Sequence, residues 1–141
     1  MLKIFDKKIM VDKSHIKYED DYVKMERKCE DLIYVLYKNG VVVDEEINRK
    51  HVEARIKLSG YKNIKLQVDA AGVKYWTLSA RKFSFSKEGV KMISATALIY
   101  HHKWQEIVLN WSLKFFSFNF PIKGFTQESE ATKWLNSIKS N

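Results

Sequence analysis

Four short runs that contain strand-forming residues, separated by segments with helical features, constrain the fold of this chain more than any other feature. The runs occupy residues 32–37, 64–69, 92–99 and 122–125. Runs of this length and composition are typical of strands, and strands that alternate with helices favour a layered α/β domain. We therefore predict that the four runs form one largely parallel sheet.

Residues 22–37 predict an antiparallel edge to that sheet. Residues 22–27 alternate between apolar and polar side chains, residues 29–31 form a turn, and residues 32–37 are almost continuously apolar. This pattern is typical of a half-exposed strand paired with a more buried one. The predicted fold is an α/β domain whose mixed, largely parallel sheet has an antiparallel edge hairpin.

Capping signals predict about four helices in this domain. Asp44 can cap the first helix, Glu45 and Glu46 lie at the positive end of its dipole, and Gly60 ends it. The remaining three helices are predicted to begin after Thr77 or Ser79, at Lys103 and after Thr126.

Composition indicates one ordered domain. The chain has 141 residues, of which 45% are hydrophobic, and its length falls within the usual range for one domain. We expect an N-terminal arm at residues 1–20 and a single domain at residues 21–141. No apolar run is long enough to span a membrane, and the first residues do not resemble a secretory signal, so we expect a cytoplasmic protein.

Positive charge is concentrated in the second part of the chain. The net charge is +8, of which residues 61–141 carry +7. The lysines of this part are scattered singly, which favours a solvated basic surface over the clustered footprint of a nucleic-acid binder. Nucleic-acid binding through this basic half is therefore kept only as a second alternative.

The sequence contains no recognisable catalytic or cofactor-binding motif. It has no Gly-x-Ser-x-Gly turn, no P-loop and no Gly-x-Gly-x-x-Gly motif. Cys29 is the single cysteine, the adjacent His101 and His102 point apart, and His51 lies on an apolar helix face. We therefore expect no enzymatic activity, no metal site and no cofactor.

Asp69 ends a predicted strand at the carboxyl edge of the sheet, where α/β proteins place their sites. A role in such a site is one interpretation. The favoured interpretation is a strand-end turn, in which the carboxylate accepts hydrogen bonds from the amides of residues 70–72.

An ordered set of short segments resembles a known family. The segments are residues 43–44, 52, 55, 58, 68–74, 79–81, 88–91, 95–98, 110–114, 125–126 and 131–135. They resemble small uncharacterised bacterial proteins with the SpoIIAA-like (STAS-like) fold, often labelled STAS/SEC14 domains. The resemblance covers roughly residues 22–139 and implies a fold but almost no chemistry.

The resemblance also draws attention to residues 77–79. In STAS anti-sigma-factor antagonists, a partner kinase phosphorylates a serine at the start of the helix after the second core strand. Leu78 occupies that place here, between Thr77 and Ser79. Phosphorylation of Thr77 or Ser79 would place a phosphate near helix N-terminal amides. The favoured alternative is that one of them is only a helix N-cap.

The predicted third helix carries two apolar stripes. The stripe predicted to face the sheet comprises Trp104, Ile107, Val108, Trp111 and Phe115. The opposite stripe comprises Leu109, Leu113 and Phe116, with Asn110 and Lys114 between the two. Since exposed apolar patches mark interfaces, the second stripe requires a cover. That cover could be a neighbouring helix or the segment with Phe118 and Phe120 of the same chain, a second subunit, or an apolar ligand or membrane surface.

These observations favour a non-enzymatic binding or regulatory module that acts through protein–protein contact, including self-association as a homodimer. The first alternative is a carrier or sensor of a lipid or small apolar ligand, as the SEC14 relationship implies. This alternative requires a cavity beneath the third helix rather than a close-packed core.

Overall fold

The computed structural model describes residues 3–6, 9–11 and 16–139. In these residues the strands are β1 (Lys3–Asp6), β2 (Ile9–Val11), β3 (Ile16–Glu19), β4 (Val23–Cys29), β5 (Leu32–Tyr37), β6 (Val41–Val43), β7 (Ile64–Asp69), β8 (Val73–Trp76), β9 (Ile93–Ile99) and β10 (Ile122–Phe125). The helices are α1 (Glu45–Leu58), α2 (Leu78–Ser84), α3 (Lys103–Phe115) and α4 (Glu128–Ser137).

The main sheet combines a parallel and an antiparallel part. Its eight strands follow the order β1-β2-β3-β4-β5-β7-β9-β10. Strands β5, β7, β9 and β10 are parallel neighbours, whereas β1 to β5 pair antiparallel. The four predicted runs therefore do form one sheet, and the predicted hairpin is its β4–β5 pair.

Helices cover both faces of the parallel part. One face packs against α1, α2 and α3, around a core that includes Ile33, Val35 and Leu66. The other face packs against α4. There, Ala95 and Ala97 of β9 are fully buried beside Ala131 and Leu135 of α4. The small side chains of β9 thus allow close packing of a helix, as its sequence predicts.

Helix α1 begins and ends where its capping residues predict. The Asp44 carboxylate accepts a hydrogen bond from the Ile47 N–H at 2.8 Å, which satisfies one of the free amides of the first turn. Gly60 follows the C-terminal cap with a φ of +67°. A residue with a Cβ would be strained in that conformation, so glycine is suited to this end.

Several strands were not predicted from the sequence. Strands β1 to β3 extend the antiparallel part from β4, and β6 and β8 form a separate two-stranded parallel sheet. Within the predicted arm at residues 1–20, residues 1–2, 7–8 and 12–15 lie outside the described residues. A domain boundary after residue 20 stays a prediction.

The orientation predicted for α3 is correct only in part, because Trp104 packs against the core as predicted whereas other residues of its stripe do not. Leu109 is only 5% exposed, and Phe116 stacks on Phe85 with ring centroids 5.3 Å apart. By contrast, Trp111 and Phe115 are 61% and 71% exposed. The helix is therefore rotated from its predicted position, with Trp111 and Phe115 outside.

Polar residues on the inward face of α3 explain this rotation. Gln105 is buried, and its Nε2 donates to the Ala70 carbonyl oxygen at 2.7 Å. Ser112 is also buried, and its hydroxyl donates to the Val108 carbonyl oxygen at 2.8 Å. The apolar periodicity of a helix predicts that polar residues such as these face solvent. They can be buried in α3 because their side chains are hydrogen-bonded.

Candidate functional site

A cavity of about 170 Å³ lies between the sheet and the helices α1, α2 and α3. Protein interiors rarely leave a void much larger than a water molecule. An apolar cavity of roughly 150 Å³ in another protein is large enough to bind benzene. The space in this domain can therefore hold about one aromatic ring.

The sheet and α3 make most of the cavity apolar. Val35, Val68 and Leu98 are neighbours in register on adjacent strands, and all three line the cavity. Successive side chains of a strand point to opposite faces, so these three share one face of the sheet. Helix α3 closes this side with Trp104, Val108 and Leu109.

Helix α1 contributes a polar wall. Asn48, His51 and Arg55 line the cavity at positions i, i+3 and i+7 of one helix face. The Asn48 Nδ2 donates to the Ala80 carbonyl oxygen at 2.9 Å and to the Ser84 hydroxyl at 2.5 Å. These hydrogen bonds join α1 to α2 beside the cavity.

Arg55 is a buried cation in this wall. It is 4% exposed, and its terminal nitrogens donate to the carbonyl oxygens of Lys91 at 2.8 Å and Gly89 at 3.1 Å. Burial lowers the pKa of Arg55 to about 10. Among the described residues, no carboxylate oxygen lies within 4.0 Å of its guanidinium.

His51 connects the cavity wall to the β3–β4 turn. Its Nε2 lies 2.9 Å from Asp20 Oδ2, which also accepts a hydrogen bond from the Tyr18 hydroxyl at 2.8 Å. The backbone N–H groups of Tyr22 and Val23 donate to Asp20 Oδ1 at 2.8 and 2.9 Å. The carboxylate of Asp20 is therefore engaged by groups of the protein itself.

Arg81 and Trp76 complete the wall on the α2 side. Both line the cavity. The Arg81 Nε and the Trp76 Nε1 are buried, and neither has a hydrogen-bond acceptor among the described residues. No described carboxylate lies within 4.0 Å of the Arg81 guanidinium either. This wall thus combines positive charge with two unused donors.

The structure places Thr77 and Ser79 at the start of α2, outside the cavity lining. Thr77 is the N-cap, and its hydroxyl accepts from the Ala80 N–H at 3.2 Å. Ser79 is exposed, with its hydroxyl oxygen 3.2 Å from that of Thr77. Asp69 accepts from the Ala71 N–H at 3.0 Å, in a turn at the end of β7.

The five residues predicted as an interface do not share one surface. Asn110, Leu113 and Lys114 are exposed on α3. Leu109 is part of the cavity wall and Phe116 packs on Phe85, so these two belong to the inward side. An interface that includes Asn110, Leu113 and Lys114 stays a prediction.

Within residues 3–6, 9–11 and 16–139, no group of three or more His, Cys, Asp or Glu side chains is arranged to hold a metal ion. His101 and His102 are exposed, and their backbone N–H groups donate to Gln105 Oε1 at 3.2 and 3.3 Å. No helix in the described part of the chain is long and apolar enough to cross a membrane.

The sequence predicts His51 on the apolar face of its helix, but it does not predict the cavity or the place of Arg55 and Arg81 in its wall. One feature of the sequence could have predicted the polar wall. Asn48, His51 and Arg55 share one face of a helix that must pack on a sheet. Three polar residues on such a face indicate buried polar groups. Arg81 and Trp76 gave no comparable signal, because they lie on different elements.

The structure defines an α/β protein of the SpoIIAA-like class. It resembles the crystal structure of an uncharacterised protein of the DUF3478 family with a SpoIIAA-like fold, from Shewanella loihica PV-4. The TM-score is 0.59 at 18% sequence identity, and the match covers 80% of this chain and 91% of that one. This likeness shows the fold alone.

The chain itself belongs to the family described as domain of unknown function DUF7793, whose model matches residues 25–139. No curated protein matches the sequence.

Proposed function

We propose that this protein is a non-enzymatic binding module that takes up a small, largely apolar molecule in the cavity beneath α3. The observation that carries the proposal is the cavity of about 170 Å³, whose floor and α3 side are mostly apolar. A ligand-carrying function requires such a space, whereas a module that acts only through its surface does not.

The apolar lining of the cavity supports this proposal. The cavity is partly open to solvent, so apolar side chains of the sheet and of α3 face water there. A ligand that fills the space removes this apolar surface from water, which contributes about 25 cal/mol per Å².

The volume also distinguishes between the two ligand classes considered for this fold. A complete membrane lipid has long acyl chains and far exceeds a space suited to about one aromatic ring. The proposal is therefore a small apolar molecule rather than a whole lipid. A location in the cytoplasm stays a prediction.

Toluene, a neutral probe of suitable size, tests the cavity. We expect it to raise the melting temperature of the protein, because a ligand of the folded state at about 100 times its Kd adds about 2.7 kcal/mol to the free energy of unfolding. Val108→Phe fills the cavity from α3 and should abolish the rise. Ile107→Phe is the matched control, since Ile107 lies on the exposed side of the same helix.

The wild type and the Ile107→Phe variant should respond equally to toluene. If toluene leaves the melting temperature of the wild type unchanged, the proposed function is wrong. An equal response from Val108→Phe would place toluene elsewhere on the protein and would also contradict the proposal.

A second candidate function is contact with another copy of the chain through the outer face of α3. Ile107, Trp111 and Phe115 are exposed at a spacing of four residues and form an apolar stripe along the helix. Two such stripes can pair about a two-fold axis. Because the inner face of α3 lines the cavity, this contact would lie on the same helix as the ligand site.

A further inference from the structure

The cavity wall contains two nitrogen donors without an acceptor among the described residues, the Arg81 Nε and the Trp76 Nε1. Buried donors are nearly always hydrogen-bonded, because each loses its hydrogen bonds to water on burial. Both residues also line the cavity. A ligand that brings acceptor oxygens to this wall would satisfy donors that the described part of the chain does not.

The same wall has positive charge that no described carboxylate neutralises. Arg55 and Arg81 both line the cavity, and each lacks a described carboxylate within 4.0 Å. Asp20 is engaged by Tyr18, by His51 and by two backbone amides. A cation in an apolar environment is costly unless an anion compensates its charge. The wall therefore favours an anionic ligand over a neutral one.

We propose that the cavity binds a small monocarboxylic acid as its anion, with an apolar body of about one aromatic ring and its carboxylate on the side of Arg81 and Trp76. The inference rests on the proposed function, because the apolar body must occupy the same cavity. A carboxylate has two acceptor oxygens and matches the planar guanidinium group of arginine.

The donors and the charge of the site favour a carboxylate over a phosphate as the charged group of the ligand. A phosphate monoester is close to a dianion at neutral pH and needs three oxygens satisfied. Arg55 already donates to two carbonyl oxygens, so the described wall offers the guanidinium of Arg81 and one indole N–H. That donor set suits the smaller, singly charged group.

Phenylacetate and phenylacetamide form a matched pair of probes, because they differ in charge and have nearly the same shape. We expect calorimetry to show that the wild type binds phenylacetate roughly ten- to a hundredfold more tightly than the amide, as hydrogen bonds to a charged group require. Arg81→Gln should remove this preference. Lys82→Gln makes the same charge change at an exposed position of α2 and should retain it.

Toluene separates failure of this inference from failure of the proposed function. It should bind the wild type, Arg81→Gln and Lys82→Gln equally, since it has no charge. If toluene binds but the wild type does not discriminate between acid and amide, the carboxylate inference is wrong and the cavity proposal stands. Absence of toluene binding to the wild type contradicts the proposed function itself.

Two further outcomes complete the test. If Lys82→Gln and Arg81→Gln lose the preference for phenylacetate equally, the preference arises from the overall charge of the protein, and the inference is wrong. If Arg81→Gln fails to fold, Trp76→Phe removes only the indole donor and should reduce the preference for phenylacetate severalfold. An unchanged preference in a folded Trp76→Phe variant would contradict the proposed place of the carboxylate.

Discussion

The Asp20 carboxylate binds groups from two distant parts of the chain. It accepts hydrogen bonds from the β3–β4 turn and lies against His51 of α1. Its side chain is 6% exposed. Burial alone would raise the pKa of Asp20, but hydrogen bonds from the Tyr22 N–H and the Tyr18 hydroxyl, together with His51, outweigh it and lower the pKa below the ordinary value of 3.8.

The lowered pKa of Asp20 predicts how stability depends on pH. Because the folded-state pKa lies below the unfolded one, the ionised carboxylate stabilises the fold fully above about pH 4, and this stabilisation is lost as the pH falls through the folded-state pKa. We expect Asp20→Asn to lower the free energy of unfolding at neutral pH by about 1–3 kcal/mol. The free energy of unfolding of Asp20→Asn should also decrease less than that of the wild type between about pH 4 and pH 2.

Denaturant unfolding at a series of pH values measures both effects. Asp21→Asn is the matched control, because Asp21 is the exposed neighbour of Asp20 and its replacement removes the same charge. The control should follow the wild type within about 0.5 kcal/mol. Equal acid sensitivity of Asp20→Asn and the wild type would contradict the role assigned to Asp20.

At the scale of the elements, the beginnings of helices follow local chemistry. Asp44 caps α1 and Thr77 caps α2, each through a side-chain oxygen that accepts from the backbone N–H three residues later. Such contacts involve residues close in sequence, so a sequence pattern can predict them. The inward face of α3 depends on Gln105, whose partner Ala70 is distant in sequence.

A helix cap and a phosphorylation switch predict different effects of substitutions at Thr77 and Ser79. If Thr77 is only a cap, Thr77→Ala should cost about 0.5–2 kcal/mol of stability. Ser79→Ala is the matched control and should cost less than about 0.5 kcal/mol, because Ser79 is exposed and caps no described amide. Thermal and denaturant unfolding of the two variants measure the difference.

A phosphorylated residue in segment 77–79 of protein isolated from its native cells would contradict the purely structural role. In that case Ser79→Asp should alter binding to a partner kinase or antagonist, with little change in thermal stability. An equal loss of stability in both alanine variants would contradict the assignment of Thr77 alone as the cap.

For the whole molecule, the outer face of α3 predicts self-association. Burial of one large apolar side chain in the contact contributes roughly 1.5–3 kcal/mol, before the entropy of association is subtracted. We expect a dimer that depends on concentration and does not weaken with salt, because the contact is apolar and the net charge of +8 is repulsive. Light scattering across a dilution series measures this association.

Trp111→Asp should give a folded monomer, because Trp111 is exposed and its replacement places a charge in the proposed contact. Asn110→Asp is the matched control, since it adds the same charge at the neighbouring exposed position without removing an apolar side chain. A wild type that stays monomeric at every concentration would refute the dimer. Unfolding of Trp111→Asp would show instead that this face of α3 is part of the core.

The sequence by itself determined the four parallel strands of the main sheet and the boundaries of α1. The runs at 32–37, 64–69, 92–99 and 122–125 became β5, β7, β9 and β10, because each is a short run with strand-forming residues such as Ile that lies between turn or capping signals. Asp44 and Gly60 bounded α1 through contacts within a few residues. Signals of this kind are local, so they can be recognised without knowledge of distant partners.

The tertiary structure alone decided the orientation of α3 and the existence of the cavity. Gln105 can be buried because its side chain donates to the carbonyl oxygens of Ala70 and Val73. The apolar periodicity of α3 cannot predict these partners, because they lie on a distant part of the chain. The cavity is a space that three helices and the sheet fail to fill, and its volume depends on how their side chains fit together. Arg81 and Trp76 acquire a common role only because the fold places them on the same wall.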